Sequence, residues 1–208
     1  MGRGRAAGYA DQQELILEHA AALFAHGGYP GTSMNQVAQA CCLSKATLYH
    51  YYKDKYALLV SIADGHVSRL QAIVQEVVAS EQTPEAQMRA LIHRLVQEYA
   101  HAQHAHRVLT EDVKFLQPDD RERVLGKERE VVQGFARVVS ALRPDLQQAA
   151  MSKPLTMLLF GMINWLFTWM KPEGRLDYEA MAPVVADLFL GGVGAVDAPV
   201  DSLAIATD

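Results

Sequence analysis

Residues 31–55, GTSMNQVAQACCLSKATLYHYYKDK, constrain this chain more than any other stretch. They read as a helix, a tight turn, a second helix and a polar stop. Thr32 and Ser33 can each cap the first helix, and Val37, Ala38 and Cys41 give it an apolar face. Cys42-Leu43 forms the turn. Ser44 caps a second helix from Lys45 to about Tyr51, whose inner side needs only Leu48 and Tyr52. Lys45, Thr47, Tyr49, His50 and Tyr51 then face outward. A short, polar, aromatic face with one cation suits a recognition helix that enters a major groove, so the stretch is expected to be a helix-turn-helix. The competing reading is a surface helical hairpin whose tyrosines are half-buried spacers.

The rest of the chain reads as helices. The first runs from about Asp11 to His26, with Ile16, Ala20, Leu23 and Phe24 on one face and Gly27-Gly28 as its stop. After Lys55 a connecting helix carries Leu58, Leu59, Ile62, Val67, Leu70, Ile73, Val74 and Val77. Thr83-Pro84 opens the next helix, which extends into the run HAQHAHR. A shorter element spans Val108 to Leu116, and a charged-then-apolar helix spans Arg121 to Leu142, closed by Pro144. The window PLTMLLFGMINWLFTWM, Pro154 to Met170, is the most apolar; it holds Thr156, Asn164 and Thr168 and reads as a buried helix rather than a membrane span. A last helix runs from about Tyr178 to Leu190.

With 208 residues, half of them hydrophobic, and β-branched alternation scarce, the expected fold is all-α with about nine helices. The chain divides into a head over 1–56 that carries the helix-turn-helix, with 1–10 a flexible basic arm; a helical body over 57–191; and a flexible tail over 192–208. The net charge of −5 is uneven: residues 1–56 hold five cations against four acids, which leaves −6 for the remainder. A near-neutral head on an acidic body fits local contact with DNA rather than wrapping. Cys41 and Cys42 are adjacent, a poor disulfide pair, and fit a reducing cytoplasm. The first residues lack the apolar core of a signal peptide.

The segments Leu23-Phe24, Gly28-Tyr29, Gly31-Thr32-Ser33-Met34, Val37-Ala38, Leu43-Ser44-Lys45, Thr47-Leu48-Tyr49-His50-Tyr51-Tyr52, Lys53-Asp54-Lys55 and Leu58-Leu59 together resemble the N-terminal DNA-binding domain of the TetR family of transcriptional regulators. The resemblance covers about residues 11–60. Two positions depart from it: the family usually has glycine where Cys42 stands, since the backbone there turns to positive φ, and often glycine where Ala46 stands. The resemblance implies a homodimer that joins through its last two long helices, a near-palindromic double-stranded operator, and repression in the cytoplasm. The candidate DNA contacts are Lys45, Tyr49, His50 and Lys55, with Thr32 and Ser33 at a helix N-terminus meeting a phosphate and Ala46 and Thr47 facing base edges.

Beyond the head, TEDVKFLQPDDRERV and LLFGMINWLFTWMKPEG look like a subgroup that answers to acyl- or aryl-CoA thioesters. Phe115, Phe160, Asn164, Trp165 and Trp169 are the candidate ligand-binding residues, with Leu116 helping to shape one wall; Arg121, Arg123, Lys127 and Arg129 are cations for the coenzyme. Core or dimer packing explains the two tryptophans equally well. A multidrug-type sensor of lipophilic cations is the alternative in the same class, although no acid lies between Pro154 and Met170. From another class, a helical metal-dependent enzyme would need His93, His101 and His104 to converge. No catalytic order of residues, metal site or resident cofactor is expected.

Overall fold

A computed structural model describes residues 3–148, 150–170 and 176–197. The described residues form ten α-helices and no strand, as the helical periodicity requires: α1 Arg3–Gly27, α2 Met34–Ala40, α3 Lys45–Tyr51, α4 Lys55–Val78, α5 Pro84–His101, α6 Gln103–Glu111, α7 Pro118–Leu142, α8 Pro144–Gln148, α9 Ser152–Trp169 and α10 Tyr178–Val193, with a 3-10 turn at Val113–Phe115 between α6 and α7. They divide into two compact units. The first holds residues 1–69 and 102–127, the second 70–101 and 128–208.

Several boundaries differ from those expected. Residues 3–10, expected as a flexible arm, continue α1 as helix; three of these eight are alanine, and adding a turn to an existing helix avoids the cost of nucleation. Pro118 rather than Arg121 opens α7, since proline at the first helical position loses no intrahelical bond. The run HAQHAHR does not finish α5: that helix ends at His101, and α6 starts after Ala102, whose ψ of 37 breaks the helical path. Pro144 starts the short α8 instead of only stopping α7. Of the expected tail, residues 198–208 lie outside the described residues.

In the first unit α1 packs on α6 and on α2, and α2 on α3. Its core contains Ile16, Phe24, Val37, Leu48, Leu58, Leu59 and Val108, each 1% exposed or less. Between α2 and α3 the turn is held by two hydrogen bonds: Leu43 N–H reaches Ala38 O at 2.9 Å and Cys42 N–H reaches Gln39 O at 3.1 Å. That pattern places the intervening residue in the left-handed region, and Cys42 has φ +54. The strain expected from a non-glycine there is therefore present, on the order of 1 kcal/mol.

The start of α7 is tied to α4. Tyr56 Oη donates to Asp120 at 2.6 Å and accepts Gln117 N–H at 2.9 Å. Asp64 accepts from Lys127 Nζ at 2.8 Å and from Arg123 Nε at 3.2 Å. Burial alone would raise the Asp64 pKa, but its two cations outweigh burial and hold the carboxyl below its ordinary range. Arg123 and Lys127, expected as cations for a coenzyme, are thus already engaged by acids of their own unit.

In the second unit α10 packs on α5 and α9, and α5 on α9. Leu91, Ile92, Leu95, Phe135, Leu159 and Ile163 form its fully buried centre. Gly134 faces Val74 so closely that a Cβ there would overlap Val74 Cγ1, and glycine is what permits that approach. α9 divides sharply: Leu155, Thr156, Leu159, Phe160, Ile163 and Leu166 are buried, while Met157, Leu158, Trp165 and Trp169 are open.

A buried pair of histidines joins α4 to α6. His66 and His106 are 0% and 2% exposed, and His66 Nε2 lies 3.2 Å from His106 Nδ1. Arg69 Nη2, which can only donate, lies 3.5 Å from His66 Nδ1. His66 Nε2 therefore carries the proton and donates it to His106. Burial first, and the neighbouring His66 second, push the His106 pKa down to about 3. An unfolded histidine titrates near 6.5, so the unfolded chain binds the extra proton first and stability falls as pH drops from there toward 3. Between pH 7 and pH 5 this histidine is expected to cost about 2 kcal/mol of stability. Urea unfolding at both pH values, compared with His106→Gln, measures it: the variant should show the shallower pH dependence.

Candidate nucleic-acid interface

Two serines set the helix pair. Ser33 caps α2: its Oγ accepts Gln36 N–H at 3.3 Å, while Gln36 Oε1 accepts Ser33 N–H at 2.8 Å, a reciprocal capping box. Ser44 caps α3, accepting Thr47 N–H at 3.0 Å with its hydroxyl 2.7 Å from that of Thr47. Only Leu48 of α3 is buried. Lys45, Ala46, Thr47, Tyr49 and His50 are exposed together on the outer side. Lys45 Nζ sits 5.9 Å from the centre of the Tyr49 ring, so the cation lies along the aromatic face rather than away from it. The exposed set comprises one cation, one phenol, one imidazole and two small side chains.

The structure gives three of the expected DNA contacts other work. Thr32 is 5% exposed, and its hydroxyl donates to Gly28 O at 3.0 Å and Leu23 O at 3.3 Å. A β-branched residue with a hydroxyl closes the end of α1 here, and its side chain is turned away from solvent. Ser33 is exposed, but both its N–H and its hydroxyl are engaged by Gln36, so a phosphate would have to displace that amide. Lys55 Nζ donates to Tyr29 O at 2.7 Å, Thr32 O at 2.7 Å and Pro30 O at 3.2 Å, and lies 4.5 Å from the centre of the Tyr29 ring. An ammonium has three donors. All three are used to hold the loop between α1 and α2 against the start of α4.

That same loop is gripped from α6 and the 3-10 turn. Tyr29 N–H donates to the Asp112 carboxylate, whose pKa burial nevertheless raises. The Phe115 ring lies 5.5 Å from that of Tyr29. Phe115 therefore packs within the first unit, while Phe160, Asn164, Trp165 and Trp169 belong to the second. Those four do not share a direction either. Phe160 is buried edge-to-face against Phe135 at 5.0 Å, and Asn164 Oδ1 is buried with no hydrogen-bond partner among the described residues. Trp165 and Trp169 are 66% and 52% exposed. The histidines do not gather either: His104 stacks near His26 at 5.1 Å, His93 and His101 lie on α5, and no group of three metal-binding side chains occurs among the described residues.

Sequence reasoning missed two features of the interface. The partner of Ser33 was legible, since Ser-x-x-Gln is a capping-box spacing. The neighbour of Tyr51 was not: Tyr9, early in α1, stacks on it at 4.7 Å.

Replacing Lys55 by methionine is expected to lower stability by about 2 kcal/mol, the scale of hydrogen bonds to a charged donor. Its effect on the salt dependence of DNA binding should be negligible. Lys45→Ala should do the reverse, leaving the thermal midpoint in place and making DNA binding less sensitive to salt. Thermal melts and binding titrations at several salt concentrations separate the two roles.

Comparison with known proteins agrees with this geometry. Residues 16–62 match the family described as bacterial regulatory proteins, tetR family, and residues 81–193 match the tetracyclin repressor-like C-terminal domain. A TetR-family transcriptional regulator from Bordetella parapertussis is similar in structure, with a TM-score of 0.81 and 33% identity over 89% of this chain and 98% of that one. AibR, solved in complex with isovaleryl coenzyme A and operator DNA, has a TM-score of 0.72 and 25% identity over 85% of this chain and 97% of its own. The transcriptional repressor KstR2 of Rhodococcus jostii is 22% identical over 89% of this chain and 93% of its length. The chain belongs to the TetR family of transcriptional regulators, which are not enzymes.

Proposed function

We propose that the protein is a homodimeric, cytoplasmic repressor released from a near-palindromic operator by an acyl- or aryl-CoA thioester. The observation that carries the dimer is the open side of α9 and α10. Leu158, Trp165 and Leu188 are 66%, 66% and 64% exposed, and Met157, Trp169 and Val184 extend the same apolar surface. Side chains this large exposed together mark an interaction surface rather than ordinary scatter. A second copy would cover that surface with the same residues, and a two-fold dimer places two recognition helices about 34 Å apart on one side of a duplex. On this reading Trp165 and Trp169 are interface residues.

Support for the thioester comes from AibR, which is similar over 85% of this chain and was solved in complex with isovaleryl coenzyme A. Within the chain, Asn164 offers a buried carbonyl oxygen beside the Phe135–Phe160 pair. An amide oxygen in apolar surroundings is costly without a donor, and a bound effector would supply one. The effector releases DNA only if it binds one conformation of the dimer better than the other.

The test uses the DNA upstream of the protein's own gene. Binding should be lost on adding one acyl- or aryl-CoA and kept with its free acid or a lipophilic cation. Indifference to every thioester would remove the coenzyme from the reading, and release by the cation would favour a multidrug-type sensor. For the dimer, Trp165→Glu with Leu188→Glu should sediment as a monomer and bind the same DNA at least about tenfold more weakly, because burying two carboxylates in an apolar interface is prohibitive. A variant that stays dimeric would place the subunit contact elsewhere.

A further inference from the structure

We infer that Tyr9, outside the helix-turn-helix, is a positioning residue for the recognition helix; this rests on the reading of α3 as the DNA-reading element. α3 has seven residues and one buried side chain, Leu48. A helix under two turns is not stable by itself. Leu48 anchors its middle and the Ser44 cap its first turn. At the other end the buried C-cap residue Tyr52 holds the inner side, which leaves the outer side of the last turn to a further contact. There the Tyr51 ring stacks on Tyr9 with centroids 4.7 Å apart and planes 27° apart. Tyr9 also meets the edge of His50 at 6.3 Å, and His50 meets Tyr51 at 5.7 Å.

Three rings from two helices thus close over the end of α3. Tyr9 reaches them because α1 begins at Arg3, which puts Tyr9 on rigid helix. Its side chain remains 40% exposed, so the stack is a surface brace and not part of the core. Cap, anchor and brace lie at successive points along α3. Removing the brace leaves the end of α3 held only from its inner side, by Leu48 and Tyr52, and Tyr49 and His50, the outward residues nearest that end, lose one restraint on their positions.

The experiment begins by selecting a duplex from a random-sequence pool with the wild-type protein. Tyr9→Ala should bind that duplex about tenfold more weakly, the loss of one aromatic pair in each of two heads. Affinity for unrelated DNA and the thermal midpoint should barely change, which separates positioning from general structure. Tyr9→Phe keeps the ring without the hydroxyl and should bind within about twofold of wild type. Tyr9→Leu keeps apolar area without the stack and should behave like the alanine variant. The inference is overturned if Tyr9→Ala binds as wild type, or if Tyr9→Phe loses as much as Tyr9→Ala, since the hydroxyl would then be touching DNA itself. A wild-type protein that enriches no sequence would instead overturn the regulator reading, and this inference with it.

Discussion

The recognition helix has a single buried side chain, and much of the head is arranged around that shortage. Leu48 alone cannot orient a seven-residue helix. The remaining restraint comes from the ends and from the path that leads in. Ser44 fixes the first turn, and the left-handed Cys42 sets the angle at which α3 leaves α2. α2 in turn is started by the Ser33–Gln36 box and positioned by a loop whose carbonyls converge on Lys55. Except for Lys55, which reaches back more than twenty residues, these are local, short-range devices. Together they do what a larger apolar face would do for a longer helix, while leaving the outer side of α3 free of packing demands.

What could be read from the sequence followed the range of the interaction. Caps, turns and the burial of Leu48 depend on neighbours within a few residues, and these were legible; the positive φ at Cys42 was what the family resemblance implied. Thr32, Lys55 and Phe115 were legible as important, but their contacts within the fold were not. Tyr29, the partner of both Lys55 and Phe115, lies far along the chain from them, while Thr32 reaches back across the turn to Gly28 and Leu23. A lysine at the start of a helix near DNA looks the same in sequence whether it meets a phosphate or a carbonyl. Tyr9 and the His66–His106 pair left no sequence signal, because nothing in their immediate surroundings distinguishes them from surface residues.

The apolar window of α9 shows a different limit. Its hydrophobicity was plain, but hydrophobicity does not say what covers it. Periodicity would be expected to bury one stripe, and here Leu159, Ile163 and Leu166 are buried. The opposite stripe is equally apolar and stands open at Leu158, Trp165 and Trp169. A helix apolar on both sides has a second face that its own fold leaves uncovered.

Lys55 takes hold of the loop through main-chain oxygens, at Tyr29, Pro30 and Thr32. A carbonyl carries no side-chain identity, so this contact fixes where the loop lies without dictating what the loop is made of. Drift at positions 29 and 30 would leave the three acceptors in place. Drift at 55 would not be forgiven in the same way: arginine keeps the charge, but its flat fork cannot converge on three points around one nitrogen. Evolutionary freedom is thus unevenly shared across a single interaction: position 55 is held, position 30 is freer, and position 29 is held by its ring rather than by its carbonyl.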